Sequence, residues 1–128
     1  MGLQQETVHS FQALDELLSN KPKSRVFILF TGSKLSKTGE SWCPDCVVAE
    51  PVIEKVIKST DLASIEALLI TCYVGQRDEW KNPQNNFRTD QRFKVNCVPT
   101  LIELGTKKRL TEDQLTNEHL LLDFFGED

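Results

Sequence analysis

SWCPDC, residues 41–46, decides how the rest of this 128-residue chain is read. Cys43 and Cys46 stand three positions apart, a spacing that suits half of a metal site, a small structural disulfide or a dithiol that opens and closes as it works. A structural zinc site takes four ligands. The chain holds four cysteines, and Cys72 and Cys97 fall on two different expected strands, while His9 and His119 stand alone near opposite ends. That arithmetic argues against zinc. A permanent bridge would close so short a loop that it would restrict the denatured chain little. A cycling dithiol remains, the usual reading of C-x-x-C near a βαβ pattern.

Working outward, Val48, Val52 and Val56 recur at helical spacing with Ile53 and Ile57, and Pro44 suits the first turn of that helix because its missing N–H would be unpaired there. Pro51, inside the same pattern, removes one backbone bond and is expected to kink the helix. Cys43 thus falls at a helix N-terminus. Unpaired N–H groups and the positive end of the macrodipole should hold its thiol below the ~8.5 of a free cysteine and make it the nucleophile. Cys46, one turn deeper and better shielded, is placed to attack the mixed disulfide formed on Cys43 and release the reduced substrate.

Upstream, residues 31–41 (TGSKLSKTGES) read as a loop. Before them Val26–Phe30 is apolar and β-prone without alternation, as in a central strand covered on both faces, which requires helices on both sides. Ser10 caps an expected helix with Phe11, Leu14, Leu17 and Leu18 on one face, ended by Asn20, Lys21 and Pro22. A short first strand is expected at Thr7 and Val8. Downstream, residues 65–74 (IEALLITCYV) make a second buried strand, and residues 75–92 are polar with a short helix from Asn86. Val98–Leu104 is a strand entered through Pro99; Gly105 then turns the chain into an edge strand at Lys108–Leu110. A last helix starts near Thr116 and buries Leu121, Phe124 and Phe125.

The order VFILF (26–30), WCPDC (42–46), a helix with proline five residues after the second cysteine, and VPT (98–100) entering a strand resembles the thioredoxin fold. The TGSK loop (31–34), SWCPDC followed by AEP (49–51), and YVGQRDEWKNPQNNFR (73–88) resemble more closely one branch of it, the cytosolic thioredoxin-related proteins with a WCPDC motif. The resemblance runs from about Phe27 to Gly105. It implies an α/β thioredoxin fold, a central mixed sheet with helices on both faces, and one thioredoxin-like domain over residues 1–128.

It further implies a disulfide reductase that binds no cofactor and draws electrons from NADPH through thioredoxin reductase. Cystine and accessible protein disulfides would be its substrates, with side reactions on nitrosylated thiols and peroxide. By the same analogy Pro99 is cis, and the backbone of Val98 pairs with substrate. Thioredoxins usually carry a buried Asp beneath the cysteines, where this chain has Ile28, Leu29 and Phe30. Asp45, Glu50 or water is then left as proton carrier for Cys46.

Trp42 adjoins the nucleophile and is expected to wall the substrate approach; Trp80, without that adjacency, is expected to pack the polar insert. Asp45 stands where thioredoxins commonly have Gly. Its repulsion of a thiolate at about 7 Å is roughly 0.6 kcal/mol in water-like dielectric, set against about 0.3–2 kcal/mol of stabilisation from a helix start. The thiolate should survive, with acidic substrates disfavoured. Cys72 reads as an inert core residue, and Cys97, two residues before Pro99, as a thiol at the groove rim that is either redox-active or a half-exposed loop residue.

Net charge is −4, so neither nucleic acid nor anionic membrane is an expected partner. The N-terminal residues lack a secretory pattern, and a cytoplasmic monomer is expected. The competing reading is a thioredoxin-fold interaction module whose insert 75–92 holds a signalling partner, the cysteines being incidental.

Overall fold

Strand β2 (Arg25–Thr31) organises the molecule, because a run with five consecutive buried residues must be covered on both faces. The computed structural model describes residues 3–20, 25–59, 62 and 64–126. Within it β2 pairs in parallel with β3 (Ala67–Tyr73), which pairs in parallel with β1 (Leu3–Val8). On its other side β2 pairs antiparallel with β4 (Thr100–Glu103), and β4 with β5 (Arg109–Thr111). The five-stranded mixed sheet has the order β1-β3-β2-β4-β5.

Alternate residues of β2 feed two cores. Val26, Ile28 and Phe30 share one with Leu14 and Leu18 of helix α1 (Phe11–Ser19) and with Trp80, Phe87 and Phe93. Phe27 and Leu29 share the other with Ala49, Ile53 and Val56 of helix α2 (Pro44–Ile57), and with Leu121, Phe124 and Phe125 of helix α5 (Glu118–Gly126). Phe27 and Phe125 meet edge to face with ring centroids 4.8 Å apart. Burying a side chain of this size contributes about 1.5–3 kcal/mol.

The expected capping of α1 is present: the Ser10 hydroxyl accepts a hydrogen bond from the Ala13 N–H at 3.0 Å. Lys21 and Pro22, expected to end that helix, lie outside the described residues. The edge strand β1 is longer than expected, six residues, four of them exposed. Helix α3 (Arg77–Lys81) was not anticipated, whereas α4 (Asn86–Thr89) begins where expected. A 3-10 turn at Glu112–Thr116 precedes α5, which therefore starts two residues later than expected.

Pro51 lies inside α2, which runs on past it to Ile57. One expectation for α2 needs correction. Val48 is 59% exposed, because the buried face runs through Cys46, Ala49, Ile53 and Val56. The small residues Cys46 and Ala49 turn that face away from Val48.

Candidate active site

The site lies at the C-terminal end of β2, where open α/β sheets present their clefts. Past Thr31 the chain turns at Gly32, where an added Cβ would stand 2.8 Å from both the Ser41 Oγ and the Trp42 ring. Only glycine lets the two ends of the loop approach this closely. Lys34 and Ser41 pair as an antiparallel bridge, and the Trp42 N–H donates to the Ser33 carbonyl at 3.3 Å. This folds residues 32–42 back on themselves and delivers Cys43 to the start of α2.

The turn after β3 clamps that loop from outside. The Gly75 N–H donates to the Ser33 Oγ at 2.9 Å, and the Trp42 Nε1–H donates to the Gly75 carbonyl at 2.8 Å. Gly75 has φ +103, a left-handed value suited to glycine, and a Cβ there would come within 2.8 Å of the Glu79 carboxylate. The Arg77 guanidinium sits over the Trp42 ring, 5.4 Å from its centroid. Trp42 is therefore fixed beside Cys43 and half-buried. Ser41, Gly75 and Arg77 lie within the stretches that carry the resemblance but were assigned no role there; the glycine following a buried strand was the one local sign of this turn.

Cys43 is the N-cap residue of α2, with Pro44 at the first helical position. Its backbone N–H donates to the Ser41 Oγ at 3.1 Å, and its sulfur accepts the Cys46 N–H at 3.2 Å. The Cys46 Sγ accepts the Gly32 N–H at 3.4 Å. From the opposite side comes the Val98–Pro99 peptide, which is cis, as the resemblance implied. The Val98 carbonyl accepts the Cys43 thiol at 3.5 Å. Cys43, Cys46, Trp42, Val98 and Pro99 are thus brought together, with Pro44 and Asp45 exposed in the first turn of α2. Both thiols are free.

Solvent exposure does not separate the two, Cys43 being 4% and Cys46 3% exposed, but Cys46 lies deeper among surrounding atoms, as expected. The expected charge distribution changes. The two thiols interact closely enough to titrate as a pair. Cys46 is pushed down to about 7, first by the hydrogen bond from Cys43 and, against the cost of burial, by the Gly32 N–H and the Thr31 and Ser41 hydroxyls. Cys43 is pushed up, first by that shared bond, then by burial and by repulsion from Cys46, with Asp45 adding to the rise. One proton leaves easily and the second is held. The helix start favours one negative charge on the pair, not an independent thiolate on Cys43.

The remaining cysteines differ from this pair. Cys72 is fully buried, and burial pushes its thiol up to about 12. Cys97 is half-buried, its carbonyl accepting the Thr100 hydroxyl at 2.7 Å. Trp80 packs the polar insert as expected, with Arg88 over its ring at 4.2 Å. Among the described residues, no group of three or more His, Cys, Asp or Glu side chains is placed to hold a metal ion. No described helix is long and apolar enough to cross a membrane.

Residues 7–127 match the family described as thioredoxin domain-containing protein 17-like, thioredoxin domain. Thioredoxin domain-containing protein 17 of Mus musculus is 38% identical over 122 residues, covering 95% of this chain and 94% of the mouse protein. The Homo sapiens protein of the same name shows the same identity and coverage. Thioredoxin-like protein Clot of Arabidopsis thaliana is 42% identical over 115 residues, 86% of this chain and 84% of the plant protein.

Proposed function

This chain belongs to the thioredoxin domain-containing protein 17-like family of thioredoxin domains, a family whose paired cysteines suggest thiol redox chemistry, and from that premise we propose that it is a disulfide reductase working through Cys43 and Cys46. The observation that carries this reading is the seating of Cys43 at the N-cap of α2, its sulfur between the Cys46 N–H and the Val98 carbonyl.

Cys43, as thiolate, attacks one sulfur of a substrate disulfide R–S–S–R′. The Cys43–S–S–R bond forms as the S–S bond breaks, and R′–S⁻ departs. The pair's single charge reaches Cys43 across the shared hydrogen bond, and the helix start holds it there. Cys46 then attacks Cys43, forming the Cys43–Cys46 disulfide and expelling R–S⁻. Two electrons pass from the dithiol to the substrate.

Val98 and Pro99, just ahead of β4, present the backbone against which substrate lies. Trp42 walls the approach, Pro44 sets the first helical turn, and Asp45 disfavours acidic substrates. Cystine and accessible protein disulfides suit this site, with denitrosylation and peroxide reduction as side reactions of the same thiolate. Electrons return from NADPH through thioredoxin reductase. The test is NADPH consumption with thioredoxin reductase, this protein and a panel of disulfides. Turnover is expected with cystine and is expected to vanish in Cys43→Ser; equal turnover in that variant would refute the assignment.

A further inference from the structure

A cavity of about 270 Å³ opens beside Cys46 between α2 and the sheet, and Thr31, Lys34, Glu50 and Tyr73 also line it. At ~30 Å³ per molecule it has room for several waters, and the hydroxyls, the ammonium and the carboxylate supply their hydrogen-bond partners. Cys46 and Glu50 are four residues apart on α2, one turn apart on one face. The Lys34 Nζ stands 3.4 Å from the Glu50 carboxylate, and both side chains are about half exposed, 46% and 49%. The path from Cys46 to Glu50 therefore ends in solvent.

Resolution of the mixed disulfide needs such a path. The largest influence lowering Cys46 is the hydrogen bond from the Cys43 thiol, and Cys43 loses that proton once it is bonded to substrate. Burial, which opposes ionisation, remains, countered by the Gly32 N–H and the Thr31 and Ser41 hydroxyls, none of which can carry the proton away as a base. The ionisable groups around the cavity are Lys34 from the loop, Glu50 and Glu54 from α2, and Tyr73 from β3; β1 contributes Gln5 and Thr7, and β2 Leu29 and Thr31. Lys34 is pushed up, first by Tyr73 and then by Glu50, and stays a cation. Glu50 is the carboxylate nearest in sequence to Cys46 on that face.

We propose that Glu50, held by Lys34 at the mouth of this cavity, accepts the Cys46 proton through water as Cys46 resolves the mixed disulfide on Cys43. The inference rests on the dithiol reading above and adds the acceptor it requires. Cys46–SH gives its proton through water to the Glu50 carboxylate. The Cys46 thiolate then attacks Cys43–S–S–R, and R–S⁻ leaves and takes a proton from solvent, as Glu50 returns its own. Cys46 is oxidised and the R sulfur reduced, with no further reactant.

Mixing reduced protein with one equivalent of dithionitrobenzoate tests this, because two coloured thiolates leave in succession, the first by attack of Cys43 and the second by resolution through Cys46. Glu50→Gln removes a negative charge and leaves the Lys34 cation, so electrostatics alone would favour the Cys46 thiolate and quicken the second phase below neutral pH. Loss of a proton acceptor does the opposite. The expected result is a second phase slowed by about tenfold or more, its pH profile moved to higher pH, with the first phase unchanged. Glu50→Asp should recover part of the rate. Glu54→Gln, an equal charge change one turn further along α2, should stay within about twofold of the parent, since its effect is only that of an exposed charge. A second phase in Glu50→Gln as fast as in the parent, or faster, would overturn the proposal. Absence of the first phase in the parent protein would instead overturn the dithiol reading beneath it.

Discussion

Cys43 and Cys46 are almost equally hidden from solvent, so the division of labour proposed for them rests on position and hydrogen bonding. Cys43 caps the helix and faces the Val98 carbonyl, while Cys46 lies one turn inside and takes the Gly32 N–H. Cys46→Ser should therefore trap a mixed disulfide on Cys43, and Cys43→Ser should trap none on the remaining thiol; mass spectrometry after exposure to cystine reads both. An adduct appearing on Cys46 instead would reverse the assignment. Because the pair's first proton loss is lowered to about 7, the attack rate should rise with pH through that value and level off above it. Asp45→Gly should speed reduction of acidic protein disulfides at low salt, the gain fading as salt screens the charge. Cystine turnover should change by no more than a few-fold, and a tenfold loss would give Asp45 a chemical role. The placing of the two cysteines, one at the start of α2 and one a turn inside it, was readable from their spacing and the helix behind them. How they share a charge was not, because it depends on the Gly32 N–H and on a hydrogen bond between the sulfurs, neither of which leaves a sequence pattern.

Among the elements, long apolar segments were readable and short polar ones were not. β2 and β3 announce themselves as buried runs, whereas α3 spans five residues and is fixed by a capping box between Gln76 and Glu79. β1 is mostly polar, and it is a strand because β3 offers it an edge. Val48 misled for a different reason: the buried face of α2 uses the small residues Cys46 and Ala49, which a count of larger apolar residues passes over. The turn at Gly75 links β3 to the active-site loop. Gly75→Ala would force a Cβ onto Glu79 at a left-handed φ, and should cost roughly 1–3 kcal/mol. The urea midpoint should fall, and the Cys43 reaction with dithionitrobenzoate should change as Trp42 loses its anchor; an unaltered midpoint would show that the turn relaxes freely.

A second buried polar feature lies at the far end of β4. Glu103, 6% exposed, takes hydrogen bonds from Arg25 at 2.9 and 3.0 Å and from Lys108 at 3.1 Å. Its carboxyl is held below the ordinary glutamate value, first by Arg25. A carboxyl lowered in the folded state contributes stability that is present above its unfolded value and is lost as pH falls through the folded one. Glu103→Gln should therefore cost about 2–3 kcal/mol at neutral pH, somewhat less than loss of a fully buried partner, and the difference from the parent should shrink in acid. A urea-midpoint difference that stayed constant from neutral to acid pH would contradict this.

At the scale of the whole molecule, the sheet and the longer flanking helices were reachable from the ordered motifs of the sequence, and the cis Val98–Pro99 peptide only through the resemblance to the thioredoxin fold. The cavity joining Cys46 to Glu50 and Lys34 was not, because it is assembled from a loop, a helix and three strands. In the function proposed above, this assembly keeps the dithiol a reductant. The helix start stabilises the single negative charge on the pair, while burial and the Asp45 carboxylate work against it. The reduced form is therefore stabilised only modestly, as a reductant requires. Equilibration of the Cys43–Cys46 pair against a thioredoxin of known potential measures this directly. A reduction potential within about 30–40 mV of thioredoxin's roughly −270 mV is the expected result. A value near the roughly −120 mV of DsbA would contradict it and mark the pair as a disulfide donor.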